Sequence, residues 1–402
     1  MDERVGMFRD WDSGAFTVTD LVRRYGVSRE TFYVWKRRRE SGEKNWFEAY
    51  SRAPLCCPHA TAPDEIDAII AMRKRFPHFG PKKIRSKLIE TRGATGWPAA
   101  STIGDILKRE GLVCSRRWRR RAVAVDPTTA EVTEPNAEWS IDFKGWFRTR
   151  DGERCDPLTV EDTATRYLLE TRIMDPTGPC VHAALSRLFA EKGLPEAIRS
   201  DNGPPFGSNG PGGLSRLSVW WLKLGIEPHY IRPSSPQDNG RHERMHRTLR
   251  EQTAKPPAQS KAEQQKRFDA FCQHYNEERP HEALGQTPPA KHWHPPARQL
   301  PQRLVEPWYD ADHQPRRVRR RGTIKWRGEE VFIGEALAGE VVGLAELENG
   351  SHVVRFCTRD LGVLDSALRF HRSAPPRTRL RATPETQSIE SVRDAPGLNC
   401  QE

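Results

Sequence analysis

The chain has 402 residues, with 65 basic against 54 acidic side chains and a net charge of +11. That length implies about two to four domains, and the charge favours a polyanionic partner, nucleic acid before membrane. No apolar run reaches the roughly 18 residues a spanning helix needs, and the charged N-terminus lacks a signal-peptide core. The eight cysteines are scattered without a C-x-x-C, and Cys56-Cys57 with His59 has the wrong spacing for a zinc site. Reduced thiols in a cytoplasmic, nucleoid-associated protein are expected.

Residues 1–50 read as a helix-turn-helix domain. Val18, Leu21, Val22 and Tyr25 recur at helical spacing, Gly26-Val27-Ser28 makes a turn, and Ser28 is placed to cap a second helix. That helix points Phe32 and Trp35 inward and Arg29, Tyr33, Lys36 and Arg37 outward, which suits a major groove. A solvated basic face on an ordinary helical pair is the plainer alternative.

Residues 58–121 read as a second helix-turn-helix, with room for a wing. Ile66, Ile69 and Ile70 line one helix, Phe79-Gly80-Pro81 breaks it, and Ile84 and Leu88 line the next. Ser101 is placed to cap a third helix carrying Ile103, Ile106 and Leu107. Arg116, Arg117, Arg119, Arg120 and Arg121 follow as a phosphate-contacting arm or a solvated face. Residues 122–135 read as a linker.

From 136 to 295 the pattern is that of an α/β domain with a mixed sheet. Trp139, Ile141 and Phe143 alternate with Ser140, Asp142 and Lys144, so Asp142 faces away from the apolar set. Strands follow around Leu158–Val160, Tyr167–Leu169, Ala197–Ser200 and His229–Ile231, with helices around Val181–Phe189 and Leu214–Leu224. A loop with Pro233, Pro236, Asn239 and Gly240 then delivers Glu243 to the first turn of a helix, at the positive end of its dipole. Residues 260–279 form a further helix. Short β-like runs from 316 to 372, entered through Arg316, Arg317, Arg319, Arg320 and Arg321, read as a small β-barrel. Residues 373–402 have the composition of a disordered tail.

Three carboxylates stand out: Asp142 at a strand end, Asp201 directly after a strand, and Glu243 at a helix start. Such groups can converge on hard cations, which take oxygen ligands. The contexts are W-S-I-D-F-K-G, R-S-D-N-G-P-P-F and P-Q-D-N-G-R-H-E-R-M-H-R-T-L. Glu161-Asp162-x-x-x-Arg166-Tyr167, Tyr275-Asn276-x-x-Arg279-Pro280-His281 and Thr287-Pro288 accompany them in order.

Together these stretches resemble the integrase-core transposases of bacterial insertion sequences, relatives of retroviral integrases, over roughly residues 136–293. The resemblance implies an RNase H-like core between DNA-end-binding helical modules and a C-terminal domain. It implies a DDE site of Asp142, Asp201 and Glu243 holding two Mg²⁺ or Mn²⁺ ions, and cleavage and joining of double-stranded DNA at transposon ends. A homo-oligomer assembled on DNA, with no membrane association, follows on the same ground. Lys144, Asn202 and Arg241 are candidate DNA contacts, and Gln237 and Asn239 either shape the loop before the helix or touch DNA. Asp201 and Glu243 lie 42 positions apart, wider than the family's usual spacing, and Gly207–Gly213 reads as a surface insertion. Asp238 is the nearest substitute for Glu243.

Three other readings compete. His242-Glu243-x-x-His246 spells a zinc-protease signature, but Arg241, Arg244 and Arg247 beside a dication are electrostatically unfavourable. On that comparison the two histidines are helix-surface residues. A catalytically silent DNA-binding regulator would be marked by a missing acid, and a plain RNase H-like nuclease would not need flanking DNA-binding modules.

Overall fold

The computed structural model describes residues 3–49, 60–93, 96–113, 132–231 and 240–372. It divides into two compact units, Met1–Ala62 and Pro63–Glu402.

The first unit has three helices, α1 (Glu3–Asp12), α2 (Val18–Arg24) and α3 (Arg29–Glu40). Thr17 and Asp20 form a reciprocal capping box at the start of α2. Ser28 caps α3 as its position implied, its hydroxyl accepting from the Thr31 N–H at 3.0 Å. Helix α1 was not read from the sequence, although Met7 and Phe8 fill the core beside Leu21 and Phe32.

The second unit opens with a helical module of α4 (Pro63–Arg75), α5 (Pro81–Arg92) and α6 (Ala100–Arg109). The expected cap at Ser101 is one turn detail wrong: α6 starts at Ala100, Ala99 holds the cap position without a side-chain bond, and Ser101 lies inside the helix. Among its described residues the module has no strand, so no wing is present there. The arm Arg116, Arg117, Arg119, Arg120 and Arg121 lies outside the described residues, as does most of the 122–135 linker.

The α/β core has five strands, β1 (Glu138–Phe143), β4 (Pro157–Asp162), β5 (Leu168–Ile173), β6 (Ala197–Ser200) and β7 (Glu227–Tyr230), with a small hairpin of β2 (Phe147–Arg148) and β3 (Arg154–Cys155). Their order is β5-β4-β1-β6-β7. Strands β1, β4 and β5 form an antiparallel meander, while β6 and β7 run parallel to β1. This mixed order agrees with the RNase H-like core that the resemblance implies. Helices α7 (Gly178–Lys192) and α8 (Arg216–Lys223) cover one face, burying Trp139, Ile141, Leu185, Phe189 and Trp221. Helices α9 (Gly240–Thr253) and α10 (Lys261–Glu277) cover the other, through Met245, Leu249, Phe268 and Tyr275.

The C-terminal module corrects the barrel expectation. Strands β8 (His313–Arg317), β11 (Val341–Glu346), β12 (His352–Phe356), β13 (Arg359–Leu364) and β14 (Phe370–Arg372) form an antiparallel sheet ordered β14-β13-β12-β11-β8. The sheet stays open, with β8 and β14 as its edges, and a separate hairpin of β9 (Thr323–Trp326) and β10 (Glu329–Phe332) packs beside it. Short β-runs with regular turns are compatible with either outcome, because closure depends on pairing partners and not on local pattern.

This sheet shares a core with α8 and the glycine-rich segment, joining Leu214, Val219 and Leu222 to Val342, Leu344, Leu361 and Ile333. The segment is therefore not a loose surface insertion. Pro211, Gly212, Gly213 and Leu214 are buried, and Gly212 (φ +64°) packs against Arg359 and Leu361. Arg359 is also paired with Glu227, and Lys223 with Glu340 at 2.9 Å. The extra residues between Asp201 and Glu243 form the seat for the C-terminal sheet.

Candidate active site

The parallel β1–β6 pair sets two of the acids. Glu138 lies opposite Ala197, Trp139 opposite Ile198 and Ser140 opposite Arg199. Continued two residues, that register brings Asp142 beside Asp201 on strands about 4.8 Å apart. Strand alternation puts Asp142 on the same face as Ser140, away from Trp139 and Ile141, which is the face α9 covers.

Asp201 is half-buried, and its Oδ1 has no hydrogen-bond partner. Burial pushes its carboxyl above the ordinary range, opposed only by the Gly203 N–H. Asn202 does not stand free for DNA: its side-chain amide donates to the Ile231 carbonyl at 2.6 Å, fastening the turn to the end of β7.

Helix α9 is held to the sheet by the two histidines of the H-E-x-x-H stretch, and here the sequence expectation is overturned. His242 is 1 % exposed. Its Nδ1 is 2.5 Å from Ser140 Oγ and its Nε2 is 2.6 Å from Thr159 Oγ1. His246 Nε2 is 2.8 Å from the same Thr159 oxygen, whose hydroxyl donates to the Asp142 carbonyl at 3.0 Å. One proton assignment satisfies all four contacts: Ser140 donates to His242 Nδ1, and both Nε2–H groups donate to Thr159. Burial keeps both rings neutral, His246 with a pKa lowered to about 3. With both ring nitrogens of His242 engaged, a zinc ion could be bound there only by breaking these bonds. The histidines are interior clamps, not surface residues; the signal was their i, i+4 spacing on the face of Met245 and Leu249.

The clamp leaves Glu243 exposed on the first turn of α9. Among the described residues no three of Asp, Glu, His and Cys stand close enough together to hold a metal ion. The β1–β6 pairing thus puts the strand ends that carry Asp142 and precede Asp201 next to each other, and Glu243 is not gathered with them into a three-ligand cluster. The preceding loop, with Gln237, Asp238 and Asn239, lies outside the described residues. An unpartnered buried carboxylate oxygen beside a second carboxylate is the donor set a hard divalent cation takes, so these residues fit one.

Lys144 lies near His246; burial and the cations Arg250 and Lys255 lower its pKa to about 8. Arg241 lines a small interior pocket with Ser140, Glu161, Thr163, Arg166, Arg199 and His242. On α3, Arg29 bonds Thr19 Oγ1 at 2.5 Å, Lys36 is 3.6 Å from Glu40, and Tyr33 and Arg37 are exposed.

The residue that sequence reading left without a role is Glu161. It is 2 % exposed, its Oε2 lacks a partner, and burial raises its carboxyl to about 8 despite Arg166, Arg241 and Arg199 nearby. The folded state therefore retains a proton that the unfolded chain releases above about 4.5. Stability should then fall as pH rises from about 4.5 to 8, by on the order of 5 kcal/mol. Glu161→Gln should remove that slope. Urea midpoints of both proteins measured across that range check it; parallel curves would mean Glu161 is ionised throughout.

Two family models, both described as integrase core domain, match residues 132–236 and 224–289. Residues 132–289 thus match the integrase core domain, and the chain is similar to proteins of bacterial insertion elements. It is 28% identical over 238 residues to the insertion element IS407 uncharacterized 31.7 kDa protein of Burkholderia multivorans, covering 57% of this chain and 82% of that one. It is 29% identical over 181 residues to the IS476 uncharacterized 39.2 kDa protein of Xanthomonas euvesicatoria, covering 44% of this chain and 50% of that one. The chain thus spans most of the first relative and half of the second. Among solved structures, the HTLV-2 integrase catalytic core domain in complex with magnesium aligns at a TM-score of 0.32 and 16% identity, over 40% of this chain and 98% of that one. The fold assignment of the integrase core rests on its strand order and not on that alignment. No helix among the described residues is long and apolar enough to cross a membrane.

Proposed function

We propose that this chain is a DNA transposase that binds transposon ends, cleaves a phosphodiester there and transfers the new end into target DNA. The observation that supports it most is the parallel β1–β6 pairing, whose register, continued two residues, would put Asp142 beside Asp201, together with the unpartnered buried oxygen on Asp201. In this reading Asp142, Asp201 and Glu243 hold two Mg²⁺ or Mn²⁺ ions, which supply positive charge to attacking and leaving oxygens. The Ser140–His242–Thr159 bonds fix the turn that carries Glu243, so that only side-chain and loop adjustment remains on DNA binding.

The chemistry is two displacements at phosphorus. A water oxygen first attacks the phosphodiester, the phosphorus–oxygen bond breaks, and a 3′-hydroxyl is freed. That hydroxyl then attacks a target phosphodiester and displaces a second 3′-oxygen. No covalent protein–DNA intermediate is required. Arg29, Tyr33, Lys36 and Arg37 on α3, with the 116–121 arm, contact the end, and Lys144 and Arg241 of the core serve as further phosphate contacts. Joining two ends calls for two active sites, hence an oligomer on DNA.

The test is incubation of the full chain with duplexes carrying the flanking genomic ends, with and without Mg²⁺ or Mn²⁺. Nicked products bearing 3′-hydroxyls, then joined products, are expected only with metal. A chain that bound those ends tightly but never cut them would be a silent regulator.

A further inference from the structure

The helical module and the core meet along a seam between α5 and the segment after α10. Lys82 Nζ lies 2.6 Å from Glu282, Lys291 Nζ 2.8 Å from Glu90, and Ser86 Oγ donates to the Gln286 carbonyl at 2.8 Å. His274 stacks on Phe76, ring centroids 5.6 Å apart.

Inside this seam cationic groups gather round two aromatic rings. The Arg279 guanidinium lies 5.9 Å from the ring centres of both Phe79 and Tyr275. Lys83 Nζ lies 5.8 Å over the same Phe79 ring, and the His281 ring meets Tyr275 edge-on at 4.8 Å. Arg279 Nη1 and His281 Nε2 are buried and make no hydrogen bond. Buried donors without acceptors are costly and uncommon in a folded protein. The carboxylates that act on this cluster are Glu251, on Arg279, and Glu282, on Lys83, the latter bonded to Lys82. Arg166 adds a further cation beside His281. Helix α5 also directs its N-terminus here without a side-chain cap. Burial, with repulsion from neighbouring cations, lowers Lys83 to about 7 and His281 to about 3, so the His281 ring is neutral and contributes a ring nitrogen and not a charge.

We propose that Lys83, Arg279 and His281 form a phosphate-binding site, composed jointly by the helical module and the core, that takes a backbone phosphate of bound DNA. The site rests on the DNA-binding reading above and extends it to a position remote in sequence from the three acids. An incoming phosphate would accept from the free Arg279 and His281 donors and pair with Lys83. Because the site is shared across the seam, DNA bound there would fasten the helical module to the core.

The test is anisotropy titration of labelled duplex DNA by wild type, Lys83→Gln and Arg279→Gln without metal, over about 50–200 mM salt. Each variant should weaken binding alike on end-containing and random duplexes and make the log–log salt slope shallower by about 0.9. Slopes equal to wild type in folded variants overturn the site. Should Arg279→Gln fail to fold, Lys83→Gln at the rim decides. Inorganic phosphate that raises the melting temperature of wild type but not of Lys83→Gln, with DNA slopes unchanged, would assign a free-anion site and overturn the DNA assignment. Failure of the transposase reading looks different: normal binding and salt slopes with no cleavage in Mg²⁺.

Discussion

Asp201→Asn should abolish strand cleavage while leaving the protein as stable as wild type or more so. Several kcal/mol of transition-state stabilisation are expected from charge held at this carboxylate, which corresponds to a loss of about 10²–10⁴-fold. The side chain is isosteric, so the packing of the turn before Gly203 is kept. Stability should not fall, because the wild-type carboxylate is half-buried with Oδ1 unpartnered and burial opposing its charge. A neutral amide removes that cost, as at other sites where function is maintained against stability. Asp142→Asn should match it in cleavage, since the two acids share one level of adjacent strands. Glu243→Gln decides a separate point: full activity there would leave a two-carboxylate site. Gel assay of nicked ends and a thermal melt of each variant give both readouts. Asp201→Asn with unaltered cleavage would sink the site.

His242→Ala should lower stability and activity together. The ring bridges Ser140 and Thr159 in the interior, so its removal strands the Ser140 hydroxyl, takes one of three bonds from Thr159 and opens a cavity. The stranded group costs about 1–3 kcal/mol and the cavity adds to it, and a loss of roughly 3 kcal/mol lowers the melting temperature of a domain this size by about 6–12 °C. Cleavage should fall as well, because the first turn of α9 then loses its tie to β1 and Glu243 loses its fixed approach. A zinc-selective chelator should leave the wild-type melting temperature unchanged. If chelation lowered it by as much as the substitution does, the histidines would be metal ligands and the hydrogen-bonded assignment would be wrong.

The two substitutions separate what each part of the stretch does. Asp201 sits where charge is left uncompensated for a partner, whereas His242 sits where every polar group is already satisfied. That contrast lies in burial and hydrogen bonding, and neither is visible in the letters D-N-G or H-E-x-x-H.

Local pattern alone settled the helices and strands of the core, because alternation at Trp139, Ile141 and Phe143 and helical spacing at Val181, Leu185 and Phe189 are set by which face must be buried. It also set the Ser28 cap, a bond spanning three residues. The three acids stand out through their contexts, and the pairing that makes the strands leading to Asp142 and Asp201 parallel neighbours is a tertiary one. Tertiary structure decided the rest. Whether the C-terminal sheet closes depends on which distant strand pairs with β8 and β14, and it stays open. Gly207–Gly213 looks like a free loop until Leu361 and Arg359 cover it. The histidines look like ligands or surface groups until Ser140 and Thr159, 102 and 83 positions away, take their nitrogens. In each case the deciding free energy comes from contacts between residues far apart in the chain, which no local window contains.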